Sequence, residues 1–218
     1  MYVPLPTPAP MPELAPLKAD SATLGLSAPP RPVRAHLAVR RSTLDVLSGH
    51  AASVTGTLRA SAPAEVLTGR AIALQVAVGR RWATVSRTRT GSAGRFIMRY
   101  FPWRAGSQRV RLSFAGSPGL ERAQHPLGRL NVYRAVEVSW YGGGGSLACG
   151  GSLTSSTMGV ASRTLPCGSH VTLRFGGHSV RVPVIDRGPY VAGRELDLTE
   201  ATKQALGFGD TGQLWSTR

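Results

Sequence analysis

The sequence contains no apolar stretch approaching the roughly 20 residues that a membrane-spanning helix needs. We therefore expect no membrane span. Near Met1 there is also no basic segment followed by an apolar one, which is the arrangement of a secretory signal. Aromatic residues make up only 6% of the chain, which disfavours the rows of exposed rings that bind single-stranded nucleic acid. Lysine is nearly missing as well, since Lys18 and Lys203 are the only two.

Cysteine is scarce too: the chain has two, Cys149 and Cys167, on either side of a segment rich in glycine and serine. No set of Cys, His and carboxylate residues has the spacing of metal ligands, so we expect no metal and no cofactor. A pair of free thiols would be ordinary in a cytosolic protein. One pair within one domain nevertheless favours a disulfide formed outside the cytosol, and with it a secreted protein.

Positive charge dominates the sequence and is concentrated in its first part. The formal net charge is +15. Residues 1–135 contain 19 Lys and Arg against 5 Asp and Glu, whereas residues 136–218 contain 7 against 6. One interpretation is the codon bias of a GC-rich genome. The other is attraction to a polyanion, such as an anionic wall polymer, phospholipid head groups or nucleic acid.

The chain divides by composition into three parts. Residues 1–32 contain nine prolines, which remove backbone donors and favour a disordered, extended spacer. Residues 33–135 contain short strands separated by glycine-containing turns, which predicts an antiparallel immunoglobulin-like β-sandwich. Residues 136–218 differ in strand spacing and contain a long Gly/Ser loop, which indicates a second, all-β domain. Its one good helix is predicted at Thr199–Leu206, with Gly207 as the stop.

Alternation of apolar and polar residues gives the clearest strands of the basic part. Phe96 and Met98 face one way, and arginines face the other, which predicts a basic, solvated sheet face. The aromatic residues fall mostly on the expected core side, so nucleic acid is not expected as a partner. These residues are Trp82, Phe96, Tyr100, Trp103 and Phe114.

Four stretches of the second domain carry a family resemblance. They are VSWYGGGG at 138–145, ACGGSLT at 148–154, MGVASRTLPCGSHVTL at 158–173 and RVPVIDRGPYVAGRELDLTEATKQALGF at 181–208. Together they resemble the rare lipoprotein A (RlpA) family, and the two cysteines match its actinobacterial members. The resemblance implies a six-stranded double-psi β-barrel, a fold shared with expansins and barwin-like proteins. It also implies a lytic transglycosylase that cleaves MurNAc–GlcNAc bonds of peptidoglycan and leaves a 1,6-anhydro end.

Two aspartates are the catalytic candidates that this resemblance implies. Asp186, in IDRGPY, matches the family's catalytic aspartate and follows an apolar strand, although it also fits a structural turn residue paired with backbone donors. Asp197, in ELDLT, matches an expansin aspartate. A helix-start role is favoured for Asp197, because either it or Thr199 fits the cap position. Glu195 is a weaker candidate for a second carboxylate.

The expected glycan-binding residues surround Asp186. Arg187 is expected to orient the Asp186 carboxylate or to bind sugar hydroxyls. Trp140 and Tyr141 are adjacent in a strand and so face opposite ways, and Tyr141 is preferred, with Tyr190, as the stacking surface. Ser162 completes this expected set.

Two departures from the family's pattern open a second hypothesis. Active members carry a glutamate where this chain has Gly151 and a histidine where it has Ser162. Neither replacement titrates near neutral pH. One hypothesis is therefore a transglycosylase in which Asp186 is the acid and base. The other is a non-catalytic or expansin-like module that binds and loosens wall glycan. Either is expected to be a monomer.

Overall fold

The computed structural model describes residues 31–61 and 66–218, so the predicted spacer lies almost entirely outside the described residues. These residues form β1 (Ala35–Thr43), β2 (Asp45–Leu47), β3 (Ala52–Ala60), β4 (Ala71–Val78), β5 (Arg81–Arg89), β6 (Arg95–Tyr100), β7 (Gly106–Phe114), β8 (Ala123–Tyr141), β9 (Gly145–Ser146), β10 (Ser152–Leu153), β11 (Val160–Ala161), β12 (His170–Phe175), β13 (His178–Asp186), β14 (Leu196–Thr199), α1 (Glu200–Leu206) and β15 (Gly212–Ser216). A short 3-10 turn, Ser92–Gly94, precedes β6. No helix within these ranges is long and apolar enough to cross a membrane.

The first half is built from two sheets around one core. β1, β3 and β6 form one sheet, and β5, β4, β7 and β8 follow one another in the other, with β2 on β8. The predicted alternation is confirmed in β6, where Phe96 and Met98 are buried and Ile97 is 60% exposed. The finer prediction, that this sandwich is immunoglobulin-like, stays a prediction.

One aromatic residue of this half contradicts the sequence prediction. Trp103, expected on the core side, is 77% exposed. It lies in the connection between β6 and β7, where the period-2 rule of strands does not apply.

β8 joins the two halves without a linker. It runs for 19 residues, so the boundary predicted between residues 135 and 136 falls inside a strand. The hydrophobic cores are nevertheless separate, because one ends at Val132 and the other begins at Val136. At the joint, the buried Tyr133 donates a hydrogen bond from its hydroxyl to Asp45 (3.1 Å).

The second half is a closed barrel of six strands. Their order is β14-β11-β13-β12-β15-β8, and β8 pairs with β14 to close the ring. Two of the neighbouring pairs, β11 with β13 and β14 with β8, are parallel, although these strands come from distant parts of the chain. The helix α1 follows β14 directly. It begins after Thr199 and ends at Gly207, as the sequence predicts.

Candidate active site

One row of residues crosses four neighbouring strands of the barrel. Asp186 of β13 is paired with Ala161 of β11, Ala161 with Asp197 of β14, and Asp197 with Ser139 of β8. Residues paired in register point to the same face of a sheet. The pairing of β11 with β13 shifts register at Ala161, but Tyr141 lies close to both carboxylates, so the two aspartates face one side of the barrel, two strands apart, with backbones separated by about 10 Å. Ala161 lies between their strands, and Gly188 lies beside Ala161 and the Asp197 carboxylate.

The Asp186 carboxylate is fixed by one of its oxygens. Its Oδ1 accepts hydrogen bonds from the backbone N–H groups of Ala148 and Arg187, both at 2.9 Å. This is the pairing with backbone donors that a structural turn residue would make. Its Oδ2 accepts no hydrogen bond from the described part of the chain, so one oxygen is held while the other is available. Asp186 is half-buried at the end of β13.

Asp197 does not cap the helix, contrary to the favoured prediction. Thr199 is the N-cap, and its hydroxyl accepts the backbone N–H of Thr202. The reason is that Asp197 still belongs to β14, whose pairing with both neighbouring strands turns its side chain to the barrel face. There it accepts a hydrogen bond from the hydroxyl of Ser139. No local sequence pattern indicated Ser139, because its partner Asp197 is 58 positions away in the chain.

Tyr141 lies on the same face as Ser139, two residues along β8. Its hydroxyl is buried, and no acceptor among the described residues meets strict hydrogen-bond geometry, although the Asp186 carboxylate is near enough to interact with it. Burial, and then the nearby carboxylates of Asp186 and Asp197, raise the pKa of Tyr141 well above its usual value. The phenol is therefore neutral and can donate a hydrogen bond. Tyr141 as a whole is half-buried, and its expected role as a stacking surface stays a prediction.

The other two aromatic residues near the site, Tyr190 and Trp140, lie in different surroundings. Tyr190 is 80% exposed, and its ring edge reaches Gly188, which in turn lies beside the Asp197 carboxylate. It is therefore an open aromatic face next to the row of carboxylates. Trp140, pointing the other way, donates its Nε1–H to Asp210 (2.6 Å) and has the Lys203 ammonium over its ring.

Arg187 binds the backbone of a neighbouring loop. Its guanidinium donates to the backbone carbonyls of Ser162 (3.0 Å) and Leu165 (2.9 Å), and it approaches the sulfur of Cys167 at 3.1 Å. These contacts occupy the group that was expected to orient Asp186 or bind sugar. Ser162 is only 2% exposed, and its hydroxyl accepts the backbone N–H of Leu165. Both residues shape the loop, and a glycan has no access to the Ser162 side chain.

The disulfide predicted from the cysteine pair is present. Cys149 and Cys167 are bonded, with 5.6 Å between their Cα atoms. The bond ties the turn between β9 and β10 to the loop before β12. The same turn supplies the Ala148 N–H to Asp186, and Cys149 donates its own N–H to the Ile185 carbonyl. The disulfide therefore lies directly behind the Asp186 carboxylate.

The remaining candidate positions do not supply a second acid. Gly151 has a φ of +86°, which side chains rarely adopt, and no atoms lie within 4 Å of where a Cβ would stand. Glu195 forms an ion pair with Arg134 through two hydrogen bonds. The hydrogen bond from Arg134 lowers the pKa of Glu195. A carboxyl group with a lowered pKa is unsuited to donate a proton near neutral pH. His170 and His178 are exposed. The described residues contain no cluster of His, Cys, Asp and Glu that could hold a metal ion.

Known proteins share the barrel but not the whole chain. The family described as lytic transglycolase matches residues 133–214. The endolytic peptidoglycan transglycosylase RlpA of Pseudomonas aeruginosa is 37% identical over 99 residues, which are 43% of this chain and 29% of that protein. A probable endolytic peptidoglycan transglycosylase RlpA of Aquifex aeolicus is 42% identical over 76 residues, 33% of this chain and 34% of that one.

The match thus spans about a third of each of these two relatives. Among solved structures, a Streptomyces papain inhibitor covers 39% of this chain and 94% of its own, at 24% identity and a TM-score of 0.32. That likeness is too low to carry an argument. The sequence matches, the closed six-stranded ring and the retained IDRGPY and DLT segments agree with one another. Residues 133–214 of this chain therefore match the lytic transglycolase family and are similar to the RlpA proteins of these two relatives.

Proposed function

We propose that the barrel cleaves peptidoglycan glycan strands as a lytic transglycosylase, with Asp186 as the acid and base. The observation that carries the proposal is the row in which Asp186 and Asp197 face the same side of the barrel across Ala161. The two relatives support the substrate class, since both are named as peptidoglycan transglycosylases. A cell-wall location outside the cytosol follows from that substrate and agrees with the disulfide.

Asp186 would act in two proton transfers. In the first, its carboxyl group gives a proton to the oxygen that links MurNAc C1 to GlcNAc, and the C1–O bond breaks. In the second, the carboxylate takes the proton of the C6 hydroxyl of the same MurNAc, whose oxygen bonds to C1 and closes the 1,6-anhydro ring. One group serves both steps, and no water enters the product. The two amide donors to Oδ1 orient the group so that Oδ2 performs the transfers.

Asp197 and Tyr141 would support the reaction without taking part in the two proton transfers of Asp186. Asp197, held in place by Ser139, carries negative charge on the face where positive charge develops at C1. The neutral Tyr141 phenol is a buried donor close to both carboxylates, so it can steady whichever of them is charged. Tyr190 offers its exposed face to a pyranose ring beside the row.

A second function has a specific observation in its favour. Gly151 and Ser162 replace the glutamate and histidine that the resemblance leads one to expect, and Ser162 is buried. A barrel without those partners would hold glycan in the same groove and leave it uncut, as an expansin-like binding or loosening module.

Digestion of purified sacculi separates the two functions. Wild-type protein is incubated with intact sacculi and with glycan stripped of stem peptides, and the soluble products are analysed by mass spectrometry. Anhydro-muropeptides that form with wild type and are lost in Asp186→Asn support the enzyme. Protein that pellets with sacculi and releases no product supports the binding module. Hydrolytic products with a free reducing end would contradict the proposed chemistry.

A further inference from the structure

A second cleft is lined mainly by residues of the first half of the protein, together with Arg218, which follows β15. Its volume is ≈ 590 Å³, within the usual range of ligand sites. Apolar residues of three strands form the floor, among them Val76, Val85 and Leu130. The exposed Trp103 stands at its rim. No acidic side chain lines the cleft.

The backbone beside Trp103 is fastened to a neighbouring turn. The Ser48 hydroxyl donates to the Trp103 carbonyl (2.6 Å), and the Gly49 N–H donates to the Pro102 carbonyl (2.7 Å). The ring rests against Gly49, where a Cβ would come within 2.9 Å of the indole Cζ3. Gly49 also has a φ of +79°, so a side chain there is disfavoured on both counts. A large apolar ring is therefore held at the surface by its surroundings.

The polar groups around this ring are cationic or neutral. Arg104 and Arg218 both line the cleft, and neither forms a salt bridge within the described ranges. The Gln108 side chain lines the cleft as well, is exposed and makes no hydrogen bond to the described residues. The cleft therefore combines an open aromatic face, two guanidinium groups without an ion pair and one free amide; the Arg218 Nε–H also donates to the His170 carbonyl (3.4 Å). An anionic ligand with an apolar ring face complements all three.

We propose that this cleft, which we call the Trp103 cleft, binds a carboxylate-bearing glycan strand at a site separate from the barrel. A pyranose ring stacks on Trp103, the Gln108 amide hydrogen-bonds to sugar hydroxyls, and Arg104 and Arg218 bind the carboxylates. The choice of peptidoglycan glycan as the strand rests on the proposed function of the barrel. Single-stranded nucleic acid fits less well, because it needs several aromatic faces along a groove and this cleft exposes one tryptophan at its rim.

The test measures binding without cutting. Full-length Asp186→Asn protein is titrated with soluble, peptide-free peptidoglycan glycan, whose lactyl groups are then free carboxylates. Trp103→Ala is expected to weaken binding about tenfold, as the loss of one aromatic stack does. Trp103→Phe should restore part of it. Ile97→Ala is the matched control, since Ile97 is also exposed but does not line the cleft.

Charge is tested in the same way. Arg104→Gln should weaken binding several-fold, whereas Arg95→Gln, which removes the same charge from an exposed position outside the cleft, should not. Chitin oligosaccharides have the sugar rings without the carboxylates and should bind more weakly. Equal affinity of the Trp103→Ala and Ile97→Ala proteins would overturn the proposal. So would single-stranded DNA that competes as well as the glycan.

Failure of this proposal differs from failure of the barrel's proposed function. If the barrel is not a transglycosylase, wild type releases no anhydro products, yet the Trp103 variants still change binding. If the Trp103 cleft is not a glycan site, the Trp103 variants bind like wild type, and anhydro products still form.

Discussion

Asp186 and Asp197 are both paired with Ala161, one from each side, so that two carboxylates share a single row of the barrel. They come from β13 and β14, which follow one another in the chain but are separated in the barrel by β11, so that Ala161 lies between them. Gly188 and the Tyr141 hydroxyl are close to this part of the row. The row is the simplest structural basis for acid and base chemistry on this surface.

Asp186→Asn should abolish turnover while leaving the fold intact. The amide oxygen of asparagine can still accept the N–H groups of Ala148 and Arg187, so we expect a change in the free energy of unfolding below about 1 kcal/mol. Loss of general acid and base catalysis should lower the rate by at least about 100-fold. Product release from sacculi and urea unfolding are the measurements. Glu121→Gln, remote from the row, is the control. A variant that retains more than a tenth of the rate would exclude Asp186 as the acid and base.

Tyr141→Phe should separate stability from activity. The substitution removes a buried hydroxyl. The free energy of unfolding should therefore change by less than about 1 kcal/mol, because the hydroxyl makes no well-formed hydrogen bond and only approaches Asp186. The rate should fall, since the donor beside the two carboxylates is gone. A marked loss of stability with full activity would show that the hydroxyl is a structural group.

Reduction of the disulfide should weaken both the fold and the site. The bond closes a loop with a sequence separation of 18, for which chain entropy predicts a stabilisation of about 3 kcal/mol. The Ala148 N–H that orients Asp186 belongs to the same turn, so turnover should fall at temperatures where the protein remains folded. Thermal unfolding and sacculus digestion of a Cys149→Ser, Cys167→Ser protein, compared with oxidised wild type, test this. Unchanged turnover would mean that the turn keeps its position without the bond.

The ion pair of Glu195 and Arg134 should make a small, pH-dependent contribution to stability. Both side chains are more than 40% exposed, which limits the contribution to below about 1 kcal/mol. Folding lowers the pKa of Glu195, so the contribution is present above the unfolded value near 4.3 and is lost as the pH falls through the folded value. Glu195→Gln should therefore be less stable than wild type at neutral pH and equal to it in strong acid. A difference that persists in strong acid, or that high salt leaves untouched, would point to packing instead.

The Glu195→Gln protein also tests whether Glu195 takes part in catalysis. Because the ion pair occupies this carboxylate, the variant should keep the rate of wild type near neutral pH. A large loss of rate, with the protein still folded, would revive Glu195 as a second catalytic carboxylate.

Local sequence patterns were enough to predict several features of this protein. Alternation within β6 placed Phe96 and Met98 in the core, because successive strand residues point to opposite faces whatever the neighbours are. The stop at Gly207 followed from the chemistry of a helix end. The pairing of Cys149 with Cys167 followed from there being no other cysteine.

Other features needed the tertiary structure. Arg187 follows Asp186 in sequence, but its guanidinium turns to the carbonyls of Ser162 and Leu165, which only the folded loop brings near. Trp103 lies outside any strand, so the alternation of strand residues could not predict whether it is exposed. Its exposed position depends on its contacts with the turn at Ser48 and Gly49.

The sequence alone determined that an aspartate ends an apolar strand, that two cysteines can pair, and that strands with alternating faces build the chain. The closure of the barrel decided the rest. Strand order there does not follow chain order, and parallel pairing of β14 with β8 and of β11 with β13 brings Ser139, Ala161, Asp186 and Asp197 into one row. A local pattern states which way a side chain points within its own strand, whereas hydrogen bonding between distant strands determines which side chains become neighbours.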